Sequence, residues 1–149
     1  MDELEINKRL KNVKQYLGTF ALDELNEIKI HNLPVFFIIN LDHRKYGSGN
    51  HWIGIGVYLK TLFICDSLGG LQPDDSFPTE LVFFLNHMLR KRKLEMTKQL
   101  QPSESDTCGL YCVTFVKEMA KSNNFGDFLS LFTDNYSSND LVIKFLNKR

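Results

Sequence analysis

A thiol carries out acyl-transfer chemistry as a thiolate. It needs a base to make or hold that thiolate, a third group to orient the base, and hydrogen-bond donors aimed at the developing oxyanion. The sequence offers a candidate for each part: Cys108 as nucleophile, His51 as base, Asp66 as orienter and Gln101 as side-chain donor. Cys108 follows the polar stretch Pro102 to Thr107 and opens an apolar run, Cys108 to Met119, that reads as a buried helix. A thiol at a helix N-terminus feels the positive end of the dipole and the unpaired backbone N–H groups, both of which favour its anion. Gly109 leaves its own N–H unshielded and lets a substrate backbone approach closely. Taken alone, a single cysteine is more often a small buried residue, His51 a loop histidine and Asp66 a turn former. The case rests on the four together.

Geometry can bring His51 and Asp66 together. Trp52 to Tyr58 and Leu62 to Cys65 are β-branched and aromatic runs separated by a tight turn near Leu59 and Lys60, the pattern of a hairpin. Its midpoint falls near residue 59, and the mean of 51 and 66 is 58.5, so the two residues should lie nearly opposite at its open end. Opposed cross-strand residues hold their Cβ atoms about 5 Å apart, within reach of an Asp–His hydrogen bond. Gln101 begins the loop that leads to Cys108, and Gln99, two residues earlier, is the competing assignment.

The remaining elements follow from periodicity and punctuation. Ile6, Leu10, Val13 and Leu17 recur as one face of a helix that Gly18 and Thr19 should end. Leu22 to Ile28 suggests a second short helix. Val35 to Ile39, after Pro34, has no polar face and reads as a central strand. Asp42 to Asn50 and Gly69 to Phe77 read as loops, with Ser76 as the cap of a helix from Pro78 to about Lys93. Leu94 to Leu100 is expected to be a strand and Asp140 to Asn147 a final helix, while Asn123 to Ser138 gives no clear pattern. These elements make one α+β domain spanning residues 1–149, with a mixed sheet flanked by helices.

The bulk numbers suit that reading. The 149 residues are enough to bury a core, and 43% hydrophobic with 24% charged residues is a globular composition. Eighteen basic residues balance 18 acidic ones, so no global field draws the chain to nucleic acid or membrane. One local cluster stands out: Arg90, Lys91, Arg92, Lys93 and Lys98 against Glu95, which reads first as a solvated helix end favoured by the dipole. Three cysteines do not make a disulfide framework and suit a reducing compartment. Cys108 and Cys112 with histidines have weak spacing for a zinc module. No metal is expected. The charged stretch Met1 to Lys14 does not read as a signal peptide, and no apolar run approaches the roughly 18 residues that span a bilayer.

His-Trp at 51–52, Asp-Ser at 66–67 and Gln-x6-Cys-Gly-x-x-Cys at 101–112 resemble adenain, the adenovirus maturation protease, and its clan, which includes the SUMO-deconjugating proteases. The order His, Asp, Gln, Cys is the clan's order, and Tyr16-Leu17-Gly18-Thr19-Phe20 is similar to the adenain segment after its first helix. The resemblance covers roughly residues 5–120. It implies a His51, Asp66, Cys108 triad with Gln101 in the oxyanion hole, a substrate groove bordered by Trp52 and Gly109, and a preference for small, glycine-type residues before the cut. Adenain has glutamate at the third triad position, so Asp66 followed by Ser67 resembles the SUMO-protease branch more closely. Adenain's activating peptide is disulfide-linked to a cysteine upstream of the glutamine, and Pro73 to Leu100 contains no cysteine, which excludes that link here.

The expected function is therefore a cysteine endopeptidase that matures capsid or core precursors of a DNA virus, virophage or Polinton-like element. It would be intracellular, in host cytoplasm, nucleus or viral factory, packaged in the virion, and monomeric. The alternative is a deconjugating protease that removes a ubiquitin-like modifier. No cofactor is required on this reading, with a non-covalent peptide or DNA as an optional activator. DNA would make only weak contact through Arg90, Lys91, Arg92 and Lys93.

Overall fold

The computed structural model describes residues 1–41, 51–69 and 77–148. Its centre is a five-stranded sheet, β1 (Tyr16–Phe20), β2 (Val35–Asn40), β3 (Trp52–Val57), β4 (Thr61–Cys65) and β5 (Lys93–Met96), in the spatial order β1-β2-β3-β4-β5. The sheet is mixed: β2–β3 and β3–β4 are antiparallel, and the two edge strands pair in parallel with their neighbours. Every residue of β2 and β3 is buried, as expected for strands covered on both faces.

The alternation of side chains splits the core in two. Phe36 and Ile38 of β2 join Trp52, Phe63 and Cys65 under α1 (Glu3–Leu10), α3 (Cys108–Ser122), α4 (Phe125–Leu129) and α5 (Tyr136–Leu146). Phe37 and Ile39 join Ile53, Ile55 and Ile64 on the other face, under a 3-10 helix (Leu22–Glu27) and α2 (Thr79–Met88). The architecture is thus the mixed sheet flanked by helices expected from the sequence. Among the described residues, no helix is long and apolar enough to cross a membrane.

Several boundaries differ from the expectation. The first helix ends at Leu10, and Tyr16–Phe20 is an edge strand in parallel register with Phe36–Ile39. The helical spacing of Ile6, Leu10, Val13 and Leu17 is satisfied only in its first half, because pairing with β2 supplies the backbone hydrogen bonds of residues 16–20. Gly18, at φ +135°, sits at a register shift in that strand and does not stop a helix. Leu22–Glu27 is helical as expected but winds as a 3-10 helix. The helix expected from Pro78 to Lys93 ends at Met88. Arg92 folds back onto its end, donating to Met88 O at 3.0 Å and Tyr58 O at 2.6 Å, and Lys93 N–H bonds Lys60 O to start β5. β5 itself stops at Met96, where Thr97 takes over the contacts described below. Asn123, at φ 54°, closes α3, and the Asn124 side chain caps α4 in a stretch whose pattern was unreadable. The final helix begins at Tyr136, capped by Asn135, four residues before Asp140. The loop expected at 42–50, most of that at 69–77 and the Ser76 cap lie outside the described residues.

Candidate active site

His51 immediately precedes β3, where its carbonyl accepts from Leu41 N–H at 3.0 Å; Asp66 immediately follows β4. The hairpin pairs Gly54 with Cys65 and Val57 with Leu62, a midpoint between residues 59 and 60. Continued one step, that register sets Ile53 against Asp66, so His51 meets Asp66 diagonally. The diagonal still closes: His51 Nε2 donates to Asp66 Oδ1 at 3.0 Å.

Asp66 is fully buried and tied down by its surroundings. Its backbone N–H donates to Thr97 Oγ1 at 2.8 Å, and the same hydroxyl donates back to Asp66 O at 2.8 Å. Leu68 N–H reaches Oδ1 at 3.2 Å. Gly69 closes this turn with its N–H on Asp66 O at 2.9 Å. It sits at φ +51°, and a Cβ there would lie 1.9 Å from Gln99 N, so only glycine allows the turn to press against residues 98–99.

Cys108 is the first residue of α3 and only 3% exposed. With Nε2 committed to Asp66, Nδ1 is the ring nitrogen left for the thiol. Nδ1 is buried and makes no hydrogen bond among the described residues, and the Cys108 side chain is close enough to favour the charged ring. Burial opposes a charge on His51, but Asp66 and then Cys108 outweigh it, and the pKa rises from 6.5 to about 9. At neutral pH the imidazole is therefore held as a cation beside the sulfur. The other thiols are placed for packing: Cys65 and Cys112 are fully buried, and burial, followed by Cys65, pushes the Cys112 thiol well above its usual range.

Gln101 is buried against Ser67 and Ser105. Its Oε1 accepts from Ser67 Oγ, and its Nε2 donates to Ser105 O at 3.0 Å and Ser105 Oγ at 3.1 Å. It therefore connects the turn after Asp66 to the loop before Cys108. Both amide protons point at Ser105, so donation to an oxyanion requires exchange of the Ser105 Oγ bond. Gln99 is only half-buried and closes the local turn, donating to Gln101 O at 3.0 Å.

Trp52 is 3% exposed and packs in the same core cluster as Cys108. Its indole N–H donates to Met1 O at 3.3 Å, and a Cβ on Gly109 would lie 3.0 Å from Met1 Sδ. Met1 thus touches both residues expected to border the groove. In the basic cluster, Arg92 is committed to backbone carbonyls, Lys98 pairs with Asp134 at 2.8 Å and Lys93 lies 3.8 Å from Glu95.

Five residues in this framework were not singled out by sequence: Ser67, Thr97, Ser105, Thr107 and Asp140. Thr107 is of a favoured N-cap type, yet its side chain makes no cap bond to α3; it donates to Asp140 Oδ1 at 2.9 Å. Ser67 was visible only as part of the Asp-Ser pair, and Asp140 only as the start of a helix.

The arrangement defines an α+β fold with a thiol at a helix N-terminus beside a carboxylate-oriented imidazole. No protein-family model and no curated protein matches the sequence. Solved structures do match. The central domain of the uncharacterized Lpg1148 protein from Legionella pneumophila aligns with a TM-score of 0.57 at 16% identity, over 98% of this chain and 92% of that one. HopZ1a in complex with IP6 and CoA gives 0.54 at 15% identity, over 94% of this chain and 45% of that one. AvrA, a delL154 form with IP6 and CoA, gives 0.52 at 14% identity, over 92% of this chain and 53% of that one. The chain thus spans about half the length of HopZ1a and AvrA. At these identities the likeness establishes the fold.

Proposed function

We propose that this protein is a cysteine endopeptidase with Cys108 as nucleophile, His51 as base and acid, and Asp66 orienting the imidazole. The observation that carries the reading is the imidazole of His51, bonded through Nε2 to a buried carboxylate and coupled to the thiol that starts α3. Cys108 Sγ attacks the scissile carbonyl carbon, and the C–O electrons move onto oxygen. The oxyanion collapses as the C–N bond breaks, and the His51 imidazolium gives its proton to the departing amine. His51 then takes a proton from water, whose oxygen attacks the thioester carbonyl carbon; the C–S bond breaks, the acid leaves and the Cys108 thiolate is regenerated beside the His51 imidazolium. α3 turns its N-terminal N–H groups toward the oxyanion.

The resemblance to adenain supports a preference for glycine-type residues before the cut and a role in maturing a capsid or core precursor, and Asp66-Ser67 supports removal of a ubiquitin-like modifier as the alternative. Turnover of a glycine-containing peptide, of a precursor polypeptide and of a modifier conjugate separates these substrates. Cys108→Ala is expected to abolish cleavage of whichever is accepted while leaving the circular-dichroism spectrum unchanged. Persistent cleavage by Cys108→Ala would refute the assignment.

A second reading, acyl transfer by the same thiol, draws on HopZ1a and AvrA having been solved with CoA. Acetylation of Cys108 by acetyl-CoA, seen in the intact mass, would favour it.

A further inference from the structure

We infer that Asp140, on the C-terminal helix, is a positioning residue for the proposed acyl-transfer chemistry: it draws the Thr107 hydroxyl away from the cap of α3, so that the Gly109 N–H remains available to the oxyanion formed at Cys108. The inference rests on Cys108 being the nucleophile.

A threonine at an N-cap ordinarily accepts from the second or third N–H of its helix. Thr107 does not. The third helical N–H, that of Leu110, goes to the Thr107 carbonyl at 2.9 Å, and Tyr111 N–H joins it at 3.3 Å. The second, that of Gly109, makes no hydrogen bond among the described residues. It lies beside the nucleophile on a buried glycine, with the Met1 side chain packed where a Cβ would stand.

The reason lies in Asp140. Its carboxylate, 7% exposed, accepts from Thr107 Oγ1 at 2.9 Å and from Tyr111 Oη at 2.8 Å. A buried carboxylate requires such donors, and the Thr107 hydroxyl is one of them. The Thr107 proton must therefore point at Asp140. That leaves the Thr107 oxygen to accept from Ser105 Oγ at 2.9 Å, and Ser105 Oγ to accept from Gln101 Nε2 at 3.1 Å. The chain of donors runs one way, from Gln101 through Ser105 and Thr107 to Asp140. Thr107 itself sits at φ −92°, ψ 6°, outside the extended region from which a side-chain cap ordinarily forms, with its carbonyl accepting from Leu110 and Tyr111. Without Asp140 the hydroxyl is released, and once Thr107 relaxes to the extended cap conformation it can bond Gly109 N–H and occupy the donor.

The experiment compares two reactions of Cys108 that differ in needing an oxyanion hole. With p-nitrophenyl acetate the sulfur attacks the ester carbonyl, the C–S bond forms, and the C–O bond breaks as p-nitrophenolate leaves with the electron pair. With iodoacetamide the sulfur displaces iodide at a saturated carbon, and no oxyanion arises. Both products are read at Cys108 by mass spectrometry under single-turnover conditions. Asp140→Ala is expected to lower the ratio of acylation to alkylation rates by about tenfold or more, up to the roughly 100-fold scale of losing one oxyanion donor. Adding Thr107→Val, which cannot cap, is expected to restore most of that ratio, whereas a merely structural defect would deepen. If Asp140→Ala does not fold, Asp140→Leu serves in its place: it fills the same space without an acceptor for Thr107, and the ratio falls in the same direction and recovers with Thr107→Val. An unchanged ratio, or no recovery in the double variant, overturns the role of Asp140 while leaving the nucleophile standing. A wild-type Cys108 that neither reagent modifies ahead of Cys65 and Cys112 overturns the nucleophile itself.

Discussion

His51 is the residue on which burial and charge act most visibly against each other. Burial alone would keep the imidazole neutral, and Asp66 with Cys108 reverses this, raising its pKa from 6.5 to about 9. A group whose folded pKa exceeds its unfolded value stabilises the fold fully below about 6.5, and that contribution is lost as pH rises through about 9. Activity that uses the imidazolium as acid should fall over the same alkaline limb. Asp66→Asn keeps the shape and removes the charge that holds the proton, so the alkaline limb of the pH profile should move down toward neutrality. Because a thiol is already acidic, Asp66→Asn should remain more active than His51→Ala, which loses nearly all turnover. Measuring kcat/KM across pH checks both, and an alkaline limb that stays near 9 in Asp66→Asn would separate Asp66 from the titration. Gln101 carries a second expectation. Its removal strands Ser67 and Ser105 and should lower kcat on the order of 100-fold, the scale of losing one oxyanion donor. Gln99→Ala, at a half-buried turn, should be nearly silent in the same assay.

At the scale of elements, the site depends on turns that sequence shows only in part. The hairpin Trp52–Val57 and Thr61–Cys65 was legible because period and turn agree, and the Cys108 helix because a polar loop gives way to an apolar run. The diagonal meeting of His51 and Asp66 was not, since a shift of one residue in the midpoint, from 58.5 to 59.5, moves the pairing from opposite to diagonal. The first helix was overextended because Val13 and Leu17 keep helical spacing while the edge of β2 offers residues 16–20 a better set of backbone partners. The hydroxyl network of Ser67, Thr97, Ser105 and Thr107 left no periodic trace, as Ser67 and Thr97 join it through the tertiary contacts Ser67–Gln101 and Thr97–Asp66. Gly69 is where this scale can be tested. A Cβ at φ +51° and 1.9 Å from a backbone nitrogen has no room, so Gly69→Ala must displace either the Asp66 turn or residues 98–99. We expect a loss of several kcal/mol, with the melting temperature falling by more than about 5 °C. A variant with wild-type stability would show that the turn yields more easily than its packing suggests.

For the whole molecule, the question is whether anything outside the chain is required for activity. Net formal charge is zero, so long-range attraction to a polyanion is absent. The local basic cluster is weaker than its composition suggests, because Arg92 is spent on Tyr58 and Met88 carbonyls while Lys98 and Lys93 face Asp134 and Glu95. Exposed pairs of this kind are individually worth little, yet each cation that is occupied releases fewer counterions on binding a phosphate backbone. Binding of duplex DNA should accordingly be weak and should fall steeply with salt. His51, Asp66 and Cys108 lie together within the one chain, so on the proposed reading basal turnover of a glycine-containing peptide is expected without added DNA or peptide. The measurement is turnover at low and at physiological salt, with and without duplex DNA, in the wild type and in Arg90→Ala/Lys91→Ala. Stimulation that disappears at physiological salt, or with the two cations, fits a weak electrostatic contact. A large stimulation that persists in both would mean that a nucleic-acid surface lies elsewhere on the molecule and that charge balance is a poor guide to it.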